Sequence, residues 1–184
     1  MEFVIGIAVV LAVVAILIYN GFVTKRNAVG FACAGIDVQL KKRFDLVPML
    51  VSAVKAYMLH ERETLERVAA LRTKAVARGT PPAEQLRISD QLTPALHGIV
   101  AQVENYPQLR ASEQFLLLQR NMSEVEEQLS AARRAYNAAV MEYNTATQIF
   151  PSNLFAALFG FKPTDPFRIA SAERSAPHVE DFAP

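Results

Sequence analysis

The chain has 184 residues, of which 52% are hydrophobic, and a formal net charge of +1. Its length suffices for one domain with a proper core beside a membrane segment. The near-neutral charge provides no overall field that would attract nucleic acid, and a single cysteine excludes an intramolecular disulfide. Seven glycines, no tryptophan and prolines concentrated at segment edges indicate a few long helices rather than many short strands.

The first predicted element is the uncharged run of residues 3–23. As a helix it would extend about 30 Å, which matches the hydrocarbon core of a bilayer. A cleaved signal peptide would need a basic segment before the run, whereas the only charged side chain there is Glu2. A buried core helix rarely stays uncharged for this long. We therefore predict a transmembrane anchor over residues 1–24.

Basic residues follow the span closely, at Lys25, Arg26 and again at residues 41–43. Such residues near a span stay on the cytoplasmic side. The sequence therefore predicts a single-pass protein of the inner (cytoplasmic) membrane, with its N-terminus outside and its main domain in the cytosol.

Two helical segments follow before the middle of the chain. An apolar seam continues the first helix from the span to about residue 78, with a bend but no break at Pro48. A further helix is expected at about residues 83–104, distorted by Pro94. The seam of the first helix comprises Leu40, Phe44, Val47, Val51, Val54, Met58, Leu65 and Val68, with Glu61 as its polar interruption.

The clearest periodicity lies between Pro107 and Pro151 and predicts a helix of about 40 residues with a coiled-coil-type seam. Tyr-Asn pairs repeat one heptad apart, at 136–137 and 143–144. The tyrosines are typical of core positions whose hydroxyls reach the boundary, and a binding role for the asparagines stays open. The seam comprises Phe115, Leu118, Met122, Val125, Leu129, Ala132, Tyr136, Ala139, Tyr143, Ala146 and Phe150. The predicted solvent side includes Arg120, Glu124, Glu126, Glu127, Gln128, Arg133, Arg134 and Glu142.

A short Phe-rich helix follows Pro151 and should end at Gly160 in a left-handed cap. It could fold back onto the bundle, or it could lie on the membrane or on another protomer. The remaining chain has too few apolar residues to fold alone. The prediction is an all-α protein in which an N-terminal transmembrane helix continues into an antiparallel up-down-up bundle of long helices. Its domains are the anchor (1–24), the bundle with the short helix (25–161) and an extended tail (162–184).

Several segments in order resemble the LemA family: YNGFVTKRNAVGFACAGIDVQLKKRFDLVPMLVSAVKAYMLHE (19–61), YPQLRASEQFLLLQ (106–119), ARRAYNAAVMEYN (132–144) and FPSNLFAALFGF (150–161). That family consists of bacterial proteins with an N-terminal membrane helix and an all-helical domain. The resemblance implies a membrane-tethered interaction domain, sometimes linked to membrane proteases or to the organisation of specialised membranes.

Nothing in the sequence indicates catalysis, a cofactor or a metal. His60-Glu61 begins like a zinc-protease motif, but Thr64 stands where the second histidine ligand belongs. Asp37 and Lys41 lie one turn apart and could pair. The basic residues could form a solvated face that fixes topology, or they could bind anionic lipid. The candidate membrane or partner contacts are Arg26, Asp37, Lys41, Lys42, Arg43, Phe155, Phe159 and Phe161.

Three functions are compatible with these features. The first is a membrane-anchored, non-enzymatic adaptor or scaffold that presents helix faces to membrane proteins, such as a membrane protease, or to copies of itself. Apolar residues just beyond the span predict a homo-oligomer. The alternative is a membrane-shaping or membrane-stress protein that acts on lipid through the Phe-rich helix and the basic juxtamembrane turn. A third is an enzyme or its subunit, which a bound cofactor would reveal.

Overall fold

The computed structural model describes residues 1–58 and 61–167, and within these ranges the fold is all-α. Six helices follow one another: α1 (Glu2–Lys55), α2 (Arg62–Ala75), α3 (Pro82–Val103), α4 (Pro107–Arg110), α5 (Glu113–Gln148) and α6 (Ser152–Phe159). They form two compact units. The first unit combines Met1–Gly30 with the chain from Arg133 onward, and the second unit is Phe31–Ala132.

The N-terminal part of α1 is long and apolar enough to cross a membrane, and it is the one such helix among the described residues. None of its most apolar window is buried inside the protein. This lack of buried residues distinguishes it from the core helix of a soluble domain, whose apolar side chains are covered. The predicted apolar N-terminal helix is therefore confirmed as a candidate membrane span.

The remainder of α1 corrects one prediction and agrees with another. Pro48 lies inside the helix, as expected, and causes no break. The helix nevertheless ends at Lys55 instead of continuing to about residue 78. No glycine or proline marks this end. The hydroxyl of Tyr106 lies 3.0 Å from both carboxylate oxygens of Glu61, so the polar residue of the predicted seam has its partner directly before α2.

The helices α2 and α3 form a hairpin in the second unit and pack closely against each other. The Gly79 backbone is left-handed, with φ of 88°, and Pro82 occupies the first turn of α3, where a missing N–H costs nothing. The bounds of α3 confirm the helix predicted at about 83–104. Pro94 lies inside α3, and the buried residues of this helix include Leu92, Leu96, Ile99 and Val103.

The long helix of the C-terminal half is also confirmed, although Ala111 and Ser112 separate the four-residue α4 from α5. Most seam positions of α5 are buried or half-buried, and Val140 and Thr147 are buried with them. Phe150 is the exception. It was assigned to the seam, but it lies beyond the end of α5 and is 79% exposed. Five of the buried seam residues are Phe115, Leu118, Val125, Leu129 and Tyr143.

The Phe-rich helix is present as α6, and Gly160 ends it in a left-handed conformation with φ of 73°. The N–H of Phe161 donates to the carbonyl of Ala156 over 2.9 Å. Residues 161–167 then form neither helix nor strand, in agreement with an extended tail. The rest of the predicted tail, from residue 168, lies outside the described residues, as does His60.

Candidate functional site

An aromatic cluster joins the end of the apolar span to the chain around α6, within the first unit. The ring of Tyr19 meets those of Phe159 and Phe161 edge to face, at centroid distances of 5.2 and 5.7 Å. Phe22, which is buried, lies 4.9 Å from Phe161. Gly160 makes this possible, because its left-handed turn lets the residues on both sides of it contact α1. Each such aromatic pair stabilises by about 0.5–1.5 kcal/mol beyond area burial.

Two further predicted contact residues belong to this aromatic cluster. The guanidinium of Arg26 lies 5.6 Å from the centroid of Phe161, within cation–π range. Phe155 is half-buried and stacks on Phe159 at 6.3 Å. Four of the eight predicted site residues therefore lie together: Arg26, Phe155, Phe159 and Phe161.

The sequence reasoning missed the α1 side of this cluster. Tyr19 was treated only as part of the apolar run, and Phe22 likewise. A signal was present, since tyrosines are enriched at the ends of membrane spans. What the sequence could not supply was the partner, because the rings that meet are separated by more than 130 positions along the chain.

Three of the other predicted residues, Asp37, Lys41 and Lys42, are exposed on α1 in the second unit. The sequence allowed a pair between Lys41 and Asp37, but Lys41 pairs with Asp45 instead, at 2.7 Å. Partial burial raises the pKa of the Cys33 thiol, and the charge of Asp37 raises it further. That thiol stays protonated at neutral pH and is a poor nucleophile.

Arg43 differs from its neighbours, because it is buried, with 6% of its surface exposed. Its guanidinium donates to the Ser89 hydroxyl at 2.8 Å, the Thr93 hydroxyl at 2.7 Å and the Glu126 carboxylate at 2.6 Å. Arg43 therefore does not belong to the exposed basic surface with which it was grouped. Glu126, assigned to the solvent side, is likewise only 34% exposed and faces this arginine.

The position of Arg43 has a simple physical reason. Residues 40, 43, 44 and 47 follow the i, i+3, i+4, i+7 pattern of one helix face, and the other three are buried apolar residues. Arg43 thus lies on the core face of α1, and its charge must be paired there. The network connects α1 with α3 and α5 inside the second unit. His97 extends it at the edge, with its ring nitrogen 3.4 Å from the second carboxylate oxygen of Glu126.

The asparagines of the two Tyr-Asn pairs bind the chain that follows α6. Asn144 donates to the Thr164 carbonyl and accepts from the Thr164 N–H, both at 2.8 Å. Asn137 forms the same pair of hydrogen bonds with Phe167, at 2.9 and 2.8 Å. We call this arrangement the asparagine clamp. Tyr136 supports it, with its ring 4.4 Å from that of Phe167.

The spacing of the asparagine clamp follows from two different backbone repeats. Seven residues of α-helix advance about 10.5 Å, and three residues of extended, proline-type chain advance about 9.3 Å. The two asparagines are seven residues apart and their partners are three apart, so the distances nearly coincide. Pro163 and Pro166 favour this extended backbone and leave the N–H groups that the clamp uses intact.

In the described part of the chain, no group of three or more histidine, cysteine or acidic side chains could hold a metal ion. The polar groups that do converge are engaged in structural contacts, either with Arg43 or with the backbone after α6. Exposed apolar side chains remain on α1 beyond the span, at Phe31, Val38 and Met49, and on α6, at Leu154 and Leu158.

The description "LemA family" belongs to the family model that matches this chain, over residues 32–182. The chain is 23% identical to "Protein LemA" of Metamycoplasma hominis over 155 residues, covering 84% of this chain and 71% of that protein. It is 25% identical over 192 aligned positions to two proteins of Paramagnetospirillum magneticum, "Magnetosome protein MamQ 1" and "Magnetosome protein MamQ 2". Each of these alignments covers 90% of this chain and 71% of the relative.

Proposed function

We propose that this chain, which belongs to the LemA family, is a membrane-anchored, non-enzymatic helical scaffold that assembles with copies of itself and presents helix faces to other membrane proteins. Relatives named as magnetosome proteins support the link to specialised membranes that the family resemblance implies. The candidate span of α1 would supply the anchor.

One observation carries the self-assembly. Three large apolar side chains of α1 beyond the span, Phe31, Val38 and Met49, are more than half exposed. At 3.6 residues per turn they lie within about 20° of each other, so they form a single stripe. We call it the α1 stripe. Ile36 and Leu40, which lie on the same part of α1, are buried and do not belong to the stripe.

A second copy is the occupant that best fits the α1 stripe. Anchors that insert in the same direction bring the same helix of each copy into parallel contact, as a cyclic assembly requires. Between Phe31 and Val38, the small residues Ala34 and Gly35 would allow close approach of two helices. Confinement to the membrane plane raises the encounter frequency further.

The mass of the full-length protein in several mild detergents tests this proposal. We expect a mass above that of the monomer, and we expect the double variant Phe31→Lys, Val38→Lys to be monomeric because two charges would be forced into the contact. The matched control is Leu117→Lys, at an exposed apolar position of α5, which should keep the wild-type mass. A monomeric wild type in every detergent would contradict the proposal, as would an unchanged mass of the double variant.

The proposed orientation places the second unit, and the part of the first unit that follows the span, on the cytosolic side of the membrane, consistent with the basic residues after the span. It can be tested with a single cysteine at the exposed position Met141, introduced into a Cys33→Ala background. A membrane-impermeant maleimide should label this cysteine only after the inner membrane has been opened. Labelling in intact spheroplasts would reverse the orientation. Crosslinking in native membranes with mass spectrometry would identify protein partners, a membrane protease among the candidates.

A further inference from the structure

Several apolar side chains on α6 and directly before it are exposed on the surface of the protein. Leu154 and Leu158, one turn apart on α6, are 62% and 75% exposed, and Ile149 and Phe150 just before it are also exposed. The whole segment 149–161 contains no charged residue. A surface of this kind in water would favour aggregation, so its composition calls for a cover.

The aromatic cluster fixes where this surface lies along the anchor. Phe159 and Phe161 contact Tyr19, which belongs to the uncharged run that ends at Val23. Four residues of helix correspond to about 6 Å. The chain around α6 is therefore attached to α1 at a level about 6 Å inside the end of the candidate span. Interfacial helices bury their apolar face about 5–10 Å into the boundary between headgroups and acyl chains.

The charged groups nearby occupy the positions expected at such a boundary. Arg26 follows the end of the apolar run at Val23 by three residues, and its guanidinium lies 5.6 Å from the centroid of the Phe161 ring. Lys25, the residue before Arg26, pairs with Glu142 at 3.6 Å. Lys162 follows the uncharged segment directly and is exposed. Charged groups thus begin where the uncharged segments of both α1 and α6 end.

From these observations we infer that α6 is a second membrane contact: it lies in the interface of the bilayer that holds the anchor, with Leu154 and Leu158 among the lipid acyl chains. The occupant is lipid because the exposed apolar surface of α6 is joined through Tyr19 and Phe159 to the exposed apolar surface of the span. This inference goes beyond the scaffold function: it rests on the proposed membrane anchor but not on self-assembly.

Spin-label accessibility in full-length protein tests the inference. Leu158→Cys in a Cys33→Ala background is labelled with a nitroxide, and the protein is reconstituted into vesicles of phosphatidylcholine and phosphatidylglycerol. Oxygen concentrates in lipid and a nickel chelate in water, so their relative collision rates report depth. The matched control is Leu117→Cys, an apolar position of similar exposure in the second unit. A second label at Leu154→Cys checks that no single substitution has displaced α6.

We expect oxygen to dominate at both α6 positions and the nickel chelate to dominate at Leu117. Access of the nickel chelate at Leu158 equal to that at Leu117 would overturn the inference, because α6 would then lie in water. Exclusion of both reagents would overturn it as well, because protein would then cover the surface. The double variant Phe159→Ala, Phe161→Ala should shift the Leu158 label toward water, since it removes both ring contacts with Tyr19 that hold α6 at this level.

Discussion

The Arg43–Glu126 pair leads us to predict a loss of stability on mutation of Glu126 that the sequence pattern alone would not predict. By pattern, Glu126 belongs to the solvent side of α5, where replacement by alanine changes stability by less than about 0.5 kcal/mol. In the structure its carboxylate lies 2.6 Å from the guanidinium of an arginine that is 6% exposed. Removing the carboxylate would deprive a buried positive charge of this anionic partner, while its hydrogen bonds to the hydroxyls of Ser89 and Thr93 remain.

The magnitude follows from the burial of the two partners. Breaking a fully buried ion pair by removing one member costs about 3–5 kcal/mol. Glu126 is 34% exposed, so water can reach the guanidinium and partly replace the missing carboxylate. We therefore expect Glu126→Ala to lower the free energy of unfolding by about 2–3 kcal/mol. The double variant Arg43→Met, Glu126→Leu removes both charges, and we expect it to be more stable than Glu126→Ala because no buried charge is left without this partner.

Urea unfolding of the full-length protein in detergent, followed by helical circular dichroism, measures these differences. Glu127→Ala is the matched control, since Glu127 is the next residue and is exposed; it should change the free energy of unfolding by less than about 0.5 kcal/mol. If Glu126→Ala is as mild as Glu127→Ala, or if the double variant is no more stable than Glu126→Ala, the reasoning about the buried pair is refuted.

Three further predictions follow from named contacts. Leu129→Ala in the buried seam of α5 should lower the free energy of unfolding by about 2–5 kcal/mol in the same assay, and a loss near that of Glu127→Ala would mean that the seam is misassigned. Asn144→Ala removes two hydrogen bonds of the asparagine clamp, so local stability should fall by about 1–2 kcal/mol and amide exchange after α6 should quicken roughly tenfold; unchanged exchange would contradict this role. The pKa of Glu84 is lowered to about 2, chiefly by the hydrogen bond from Arg87. Its stabilising effect is therefore complete above the usual pKa near 4.5 and is lost as the pH falls toward 2. Carboxyl NMR titration should find this low pKa, and Arg87→Ala should raise it toward the usual value; an unmoved pKa would exclude that hydrogen bond as its cause.

Much of the fold could be read from the sequence because hydrophobic period and proline punctuation act locally. The bounds of α3 and α6 and the left-handed Gly160 were predicted this way. The end of α1 at Lys55 was not, because no local breaker marks it. The hydrogen bond that Tyr106 donates to Glu61, directly before α2, joins residues that are 45 positions apart. Single-sequence patterns carry no information about such distant pairs.

The site was predictable in its parts but not in its pairings. The Phe-rich helix and Arg26 stood out by composition, whereas their meeting with Tyr19 depends on tertiary structure. Arg43 was misgrouped because residues 41–43 were treated as one basic run. Its position on the core face of α1 was visible in the helical period. The charge of Arg43 predicted an exposed side chain, whereas its place in the helical period predicted a buried one. The side chain is buried, and its charge is paired with the carboxylate of Glu126.

The asparagine clamp has a consequence for how this region can change in evolution. Both asparagines bind main-chain atoms of Thr164 and Phe167, so neither reads the identity of the residue that it holds. The hydrogen bonds of the clamp therefore do not restrict the side chains of this segment, provided that neither clamped residue becomes proline, although the ring contact with Tyr136 favours an aromatic residue at Phe167. The length of the segment cannot change, because one inserted or deleted residue would shift one contact by about 3 Å while the other stayed fixed. The clamp therefore constrains the number of residues in this segment far more than their kind.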